Sequence, residues 1–240
     1  MKRGIIFLCL FIYFFLIVKA QNEYADIDDK MKNIPQSSTK TTAGIADYIN
    51  SNFSTQSDKS RAVYIWVTEN IRYDIENMFK PVYYKYKQEL IDKVLKTRKG
   101  ICMHYALLFS SIANQVGIKS YVIEGYTKQN GKIDKIPHSW SAAQIDSTWY
   151  LLDPTWGSGY AQNQKFVRKV NNLFYKVEPE ILIKSHMPFD PMWQLSNYPI
   201  NNQEFYDSKF NNQKDKAFFN FQDSIKVYAQ QSEIERLESS

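Results

Sequence analysis

Nucleophiles and neutral-pH bases are scarce in these 240 residues: two cysteines, Cys9 and Cys102, and three histidines, His104, His138 and His186. Cys9 lies inside an apolar run near the chain start, so Cys102 is the cysteine whose setting suits chemistry. It follows Gly100 by two residues and opens a run with Leu107, Leu108, Ile112, Ala113 and Val116 that reads as a helix stopped by Gly117. The first turn of a helix offers unpaired N–H groups and the positive end of the dipole. Both favour a thiolate, and such positions bring a cysteine pKa from about 8.5 down to roughly 3.5–7.5. The thiolate is the attacking species, and the same N–H groups, that of Cys102 among them, can hold an oxyanion during acyl transfer. Cysteine is also a good small core residue, but that role suits the middle of the helix better than its first turn.

A thiolate of this kind needs a base. His104 lies two residues along the same helix, about 200° around from Cys102, and is expected to point away. His186 sits in a proline-rich stretch. His138 starts a strand-like segment, and pairing arithmetic supplies its carboxylate. If Asp146 and Ser147 are the central residues of a hairpin turn, Ile145 pairs with Thr148, and Trp140 falls opposite Asp153. Alternate residues share a face, so Asp153 is the diagonal neighbour of His138, about 7–8 Å away between backbones and within side-chain reach. A carboxylate there accepts the Nδ1 proton of the imidazole, fixes its tautomer and stabilises the imidazolium. The expected catalytic set is Cys102 as nucleophile, His138 as base and Asp153 as orienter. No metal or other cofactor is expected, because no C-x-x-C or H-x-x-x-H spacing exists.

Around these residues the order of elements is helices first, then an antiparallel meander, an α+β layout. A short helix is expected over 41–49. A second over about 59–71, capped by Ser57 or Asp58, carries Ala62, Ile65 and Trp66 on one side and Val63, Val67 and Ile71 adding apolar width. The tyrosine-rich stretch 81–86 is expected to serve surface and core packing rather than to wall a cleft. A third helix covers 90–95. Strands are expected over 119–127, 137–145 and 148–153, with Asn130-Gly131 as a hairpin turn. Residues 21–42 read as a loose lead-in and 43–160 as the core. Residues 161–240 read as an extension whose prolines (Pro179, Pro188, Pro191, Pro199) suggest ordered loops wrapping the core, closed by an amphipathic helix over 217–238.

Several of these segments resemble the transglutaminase-like superfamily. They are Lys99-Gly100-Ile101-Cys102 with Tyr105-Ala106, His138-Ser139-Trp140, and Trp149-Tyr150-Leu151-Leu152-Asp153-Pro154-Thr155-Trp156-Gly157. Ile65-Trp66-Val67, Asn70-Ile71-Arg72-Tyr73-Asp74 and the stretch from Pro179 through His186-Met187-Pro188 to Leu195 add to the likeness, which covers roughly residues 45–205 and is greatest for the kyphoscoliosis-peptidase-like branch. The resemblance implies a papain-like fold and a Cys–His–Asp order, which falls on Cys102, His138 and Asp153. Met103-His104 departs from the small polar residues common after the cysteine, and Ser139 replaces the commoner Ala. The zinc-binding peptide-N-glycanase branch does not fit, because there are no cysteines to spare. The implied function is acyl chemistry on peptide or protein amides through a thioester, with hydrolysis favoured over transfer to an amine. The alternative is a non-catalytic binding module that kept the fold.

Composition sets the remaining bounds. Lys2 and Arg3 precede an apolar run from Ile5 to Val18, followed by Lys19-Ala20, the pattern of a cleavable export signal. The run is short beside the roughly 20 residues of a membrane span. Without residues 1–20 the formal charge of +5 falls by three, to +2, and Cys102 is the one cysteine left. No basic patch with interleaved aromatics remains, which excludes a nucleic-acid footprint. The expected partner is a peptide or protein substrate, outside the cytoplasm and without lasting membrane insertion. An intact mass of the exported protein is expected to lack residues 1–20; a mass beginning at Met1 overturns that expectation.

Overall fold

The computed structural model describes residues 23–231. The export signal over 1–20 and the expected helix beyond residue 231 lie outside the described residues. The first described helix, α1 (Ala25–Lys32), has Asp26 and Asp28 in its first turn and Lys30 and Lys32 in its last, the arrangement the helix dipole favours. It corrects the expectation of a loose lead-in over 21–42. An ion pair and core packing of Met31 and Ile27 hold it: the buried Arg61 guanidinium donates Nε–H and Nη2–H to the two Asp28 oxygens at 2.7 and 2.6 Å. The rings of Tyr24, Tyr64 and Tyr175 surround that guanidinium at 4.5–5.7 Å.

α2 (Thr42–Asn52) is capped by Thr41, and α3 (Gln56–Asn70) by Thr55, whose Oγ1 accepts the Asp58 N–H at 3.0 Å. The cap therefore lies ahead of the expected Ser57 or Asp58. From Ser60 to Thr68 α3 is buried all round, which is why its apolar residues do not keep to one stripe. A two-residue strand, β1 (Arg72–Tyr73), leads to the exposed Phe79, Tyr83 and Tyr86 and then to α4 (Lys87–Thr97). β2 (Lys99–Gly100) returns parallel to β1 with Tyr73 opposite Gly100, and the chain enters α5 (Cys102–Gln115).

The sheet follows: β3 (Lys119–Gln129), β4 (Lys132–Ile133), β5 (His138–Ile145) and β6 (Thr148–Leu152). The pairing of β5 with β6 runs from Ile145↔Thr148 to Ser141↔Leu152, the register read from Asp146-Ser147. Both turn residues have positive φ, 49° and 66°, as a two-residue type I′ turn requires. Beyond Gly159 the extension carries regular elements among its loops. It forms a hairpin of β7 (Gly159–Gln162) and β8 (Lys165–Arg168), the short helix α6 (Pro179–Leu182), β9 (His186–Pro188), α7 (Asn202–Asp207) and α8 (Phe221–Gln230). β9 joins the sheet on β3, on the side away from β5.

Strand alternation divides the sheet into two faces. Val122, Ala143, Ile145 and Leu152 meet the helices α2–α5. Ile123, Trp140, Ala142 and Leu151 meet Val177, Leu182, Met192, Trp193, Leu195 and Ile225 of the extension. Close approach of β9 depends on Gly125, where a Cβ would collide with the Met187 carbonyl and the Trp140 indole. Among the described residues no helix is long and apolar enough to cross a membrane. Burial of each large apolar side chain is worth about 1.5–3 kcal/mol, so the extension's contribution is of the order of a whole domain's stability, about 5–15 kcal/mol. A chain truncated after Gly159 is expected to show no cooperative thermal transition. A sharp calorimetric peak from that fragment would show the extension to be dispensable.

Candidate active site

Cys102 is the first residue of α5 and is 9% exposed. The parallel pairing of β1 with β2 fixes the approach of the chain, and Ile101 is extended just before the helix. His104 turns back on the helix start: its Nδ1 accepts the Ile101 N–H at 3.2 Å, the reciprocal half of a capping box. That occupation, with the ring buried, gives it a capping role and agrees with the expectation that it is no base for Cys102.

His138 and Asp153 meet as the pairing arithmetic requires, with His138 Nε2 donating to Asp153 Oδ2 at 2.8 Å. The nitrogen is the correction: it is Nε2, not Nδ1, that faces the carboxylate. His138 opens β5, and with Nε2 engaged on Asp153, Nδ1 is the nitrogen left for Cys102. Asp153 is fully buried. Its Oδ1 accepts the N–H groups of Thr155 and Trp156 at 2.8 and 3.0 Å, a turn that begins at the Asp-Pro step. A side chain at Gly157 would run into the Tyr64 hydroxyl, so this turn packs directly on α3.

A second histidine shares the carboxylate. His186 Nε2 lies 3.1 Å from the same Asp153 Oδ2 and is 1% exposed. Sequence reasoning passed over it, since a lone histidine among prolines carries no periodic signal; the one hint was its place in the His186-Met187-Pro188 likeness. The rings of Trp140 and Trp156 flank both imidazoles, with Trp140 stacked near His138 at 6.2 Å and Trp156 edge-on to His186 at 4.5 Å.

These contacts set the charges. Burial pushes the Cys102 thiol up, but the His138 imidazole beside it and the N–H groups of Ser139 and Met103 outweigh this and hold it below its ordinary value. Burial disfavours charge on His138 too, yet Asp153 and then Cys102 lift it to about 10. Asp153, against its own burial, is held well below the usual carboxylate range by His138 and His186. His186 goes the other way: burial lowers it and the neighbouring His138 charge adds to this, in spite of Asp153. Together these shifts favour charge on Cys102, His138 and Asp153 and disfavour it on His186. The ligand atoms of His138, Asp153 and His186 lie within 4.8 Å of one another, close enough for a cation. Both Nε2 atoms are already engaged on Oδ2, however, and a metal there would take the carboxylate from His138.

A family model described as the Transglutaminase-like superfamily matches residues 43–154. Over that segment, a little under half its length, the chain is similar to that superfamily. The matched segment contains Cys102, His138 and Asp153; His186 lies beyond it. Kyphoscoliosis peptidase of Mus musculus is 29% identical over 168 residues, 64% of this chain and 24% of the relative. The Homo sapiens protein of the same name is 29% identical over 171 residues, 65% of this chain and 24% of the relative. The chain thus spans less than a quarter of the length of these relatives. The periplasmic domain of TgpA from Pseudomonas aeruginosa has 23% identity and a TM-score of 0.39, over 48% of this chain and 43% of that one.

The geometry generates a test by alkylation. With iodoacetamide, the peptide carrying Cys102 is expected to react in a way that titrates below the ordinary thiol value. His138→Ala raises the apparent pKa by more than one unit, since the helix dipole alone supplies about 0.3–1 kcal/mol, up to about 2 when partly buried, against about 1.4 kcal/mol per unit. Asp153→Asn gives a smaller rise, and His104→Ala lowers thermal stability while leaving the titration in place. Wild-type titration near the ordinary thiol value of about 8.5, or a larger effect from His104→Ala, removes the assignment.

Proposed function

We propose that the protein is a cysteine-dependent acyl hydrolase or acyltransferase acting on peptide or protein amides, with Cys102 as nucleophile, His138 as acid and base and Asp153 as orienter. The observation that carries this reading is the buried His138–Asp153 ion pair set against a cysteine at a helix N-terminus. In the proposed cycle the Cys102 thiolate attacks the amide carbonyl carbon, and the oxygen gains negative charge facing the N–H groups at the start of α5. The tetrahedral species collapses as the C–N bond breaks, and the departing nitrogen takes the proton from His138 Nδ1. A thioester on Sγ and a neutral His138 remain. Water or an amine then attacks the thioester, gives its proton to Nδ1, and the C–S bond breaks to restore the thiolate and imidazolium.

Hydrolysis is the favoured outcome, by analogy with the relatives named as peptidases. The basic start and apolar run over residues 1–20 support action outside the cytoplasm. p-Nitrophenyl acetate, a general acyl donor, tests the cycle. An acetyl adduct on the Cys102 peptide is expected, with turnover abolished in Cys102→Ala and His138→Ala, and with added putrescine diverting product only if amines are accepted. Turnover of an amide substrate, whose leaving nitrogen takes its proton from His138, falls as pH rises through about 10, the value to which His138 is lifted, while alkylation of the thiolate continues. Equal turnover in wild type and Cys102→Ala returns the chain to the binding-module reading.

A further inference from the structure

Asp153 is sealed from solvent, so each lone pair on its oxygens depends on a protein donor. Oδ1 has the two backbone N–H groups of its own turn; Oδ2 has only imidazoles, one from β5 and one from β9. We infer that His186 is a positioning residue for the reaction proposed above, on which this inference rests: its Nε2–H holds Asp153 Oδ2 in line with His138 and is supplied by the extension rather than by the transglutaminase-like core.

Three observations carry the argument. The first is the direction of the bond. His186 Nδ1 lies 2.8 Å from Ser185 Oγ, whose hydroxyl also lies 3.2 Å from the Leu182 carbonyl. Asp153 Oδ2 can only accept, so Nε2 carries a proton; in a neutral ring Nδ1 then accepts the single Ser185 hydroxyl hydrogen at 2.8 Å, in preference to the longer contact with the Leu182 carbonyl. Asp153 then receives two N–H donors on one oxygen, one from a charged ring and one from a neutral ring. The charged and titratable groups acting on His186 are Asp153, His138 and, further off, Asp134. The second is rigidity. The His186 ring meets Trp156 at 4.5 Å, Trp140 at 5.1 Å and Phe174 at 6.4 Å. Its strand is held by the pairing Thr127↔His186 and by the N–H groups of Lys128 and Phe189, which donate to Ser185 and Glu124. The third is division of labour. His138 must move a proton at Nδ1, so it cannot also serve as a fixed anchor; a neutral imidazole that does not titrate in the cycle can.

A buried histidine that merely fills space makes the opposite prediction, and the variants separate the two. Glutamine places an amide N–H near the position of Nε2, whereas phenylalanine keeps the aromatic bulk and loses the donor. Turnover of p-nitrophenyl acetate by His186→Gln is expected to stay within about fivefold of wild type, and that of His186→Phe to fall on the order of a hundredfold, the scale of an ångström's misplacement. Melting temperatures identify any variant that has not folded. The wild-type 15N-histidine spectrum gives an independent reading: His186, neutral at pH 7, with Nε2 protonated and Nδ1 accepting. If His186→Phe matches or exceeds His186→Gln, or if the proton is found on Nδ1, the inference is overturned. If Cys102→Ala and His138→Ala retain turnover, the reading it rests on falls instead.

Discussion

A carboxylate with no access to water is the constraint around which the molecule is arranged. Leaving such a group buried without partners costs several kcal/mol, and Asp153 avoids this with four donors drawn from three parts of the chain. Two come from its own turn, one from the strand paired with β6, and one from a strand that arrives 33 residues later. Each delivery makes a demand elsewhere. The turn needs Gly157 under the Tyr64 hydroxyl, the hairpin needs Asp146 and Ser147 to accept positive φ, and β9 needs Gly125 bare.

The charge thus held is passed to the cysteine through one ring. Asp153 fixes Nε2 of His138, which leaves Nδ1 and the imidazolium charge beside Cys102, where low dielectric strengthens both. The helix layer keeps the other end of this chain still. The Tyr105 hydroxyl donates to the Ile71 carbonyl at 2.6 Å, and Arg168, from β8, donates to the carbonyls of Thr68 and Ile71. The end of α3 is thereby capped by a residue of the extension, and β1, which guides Cys102 into place, follows directly after Ile71. Both sheet faces therefore bear on the site: the helix face presents the sulfur, and the extension face secures the base.

What was legible in the sequence followed from periodicity. The β5–β6 register could be read because a two-residue turn leaves one pairing, and that pairing puts Asp153 beside His138. Cys102 could be read because Gly100 and the apolar run mark a helix start. The helix Ala25–Lys32 could not, because what holds it is distant in sequence, the ion pair of Asp28 with Arg61 and the packing of Met31 in the core, and such contacts leave no local pattern. His186 was hidden for a similar reason: β9 is three residues long, too short for alternation to show. The choice of Nε2 over Nδ1 depends on ring rotation, which strand register does not determine.

The two-faced sheet also has a consequence for synthesis. The helices that cover one face precede the strands in the chain, whereas Val177, Leu182, Trp193 and Ile225, which cover the other, follow them. At about 5–20 residues per second, the strands leave the ribosome seconds before their second cover exists. During that interval Trp140 and Ile123 face solvent, Asp153 can be hydrated, and the low-dielectric setting that sharpens the cysteine is incomplete. The setting of Cys102 is thus completed only late in the making of the chain, after its neighbours have been assembled around it.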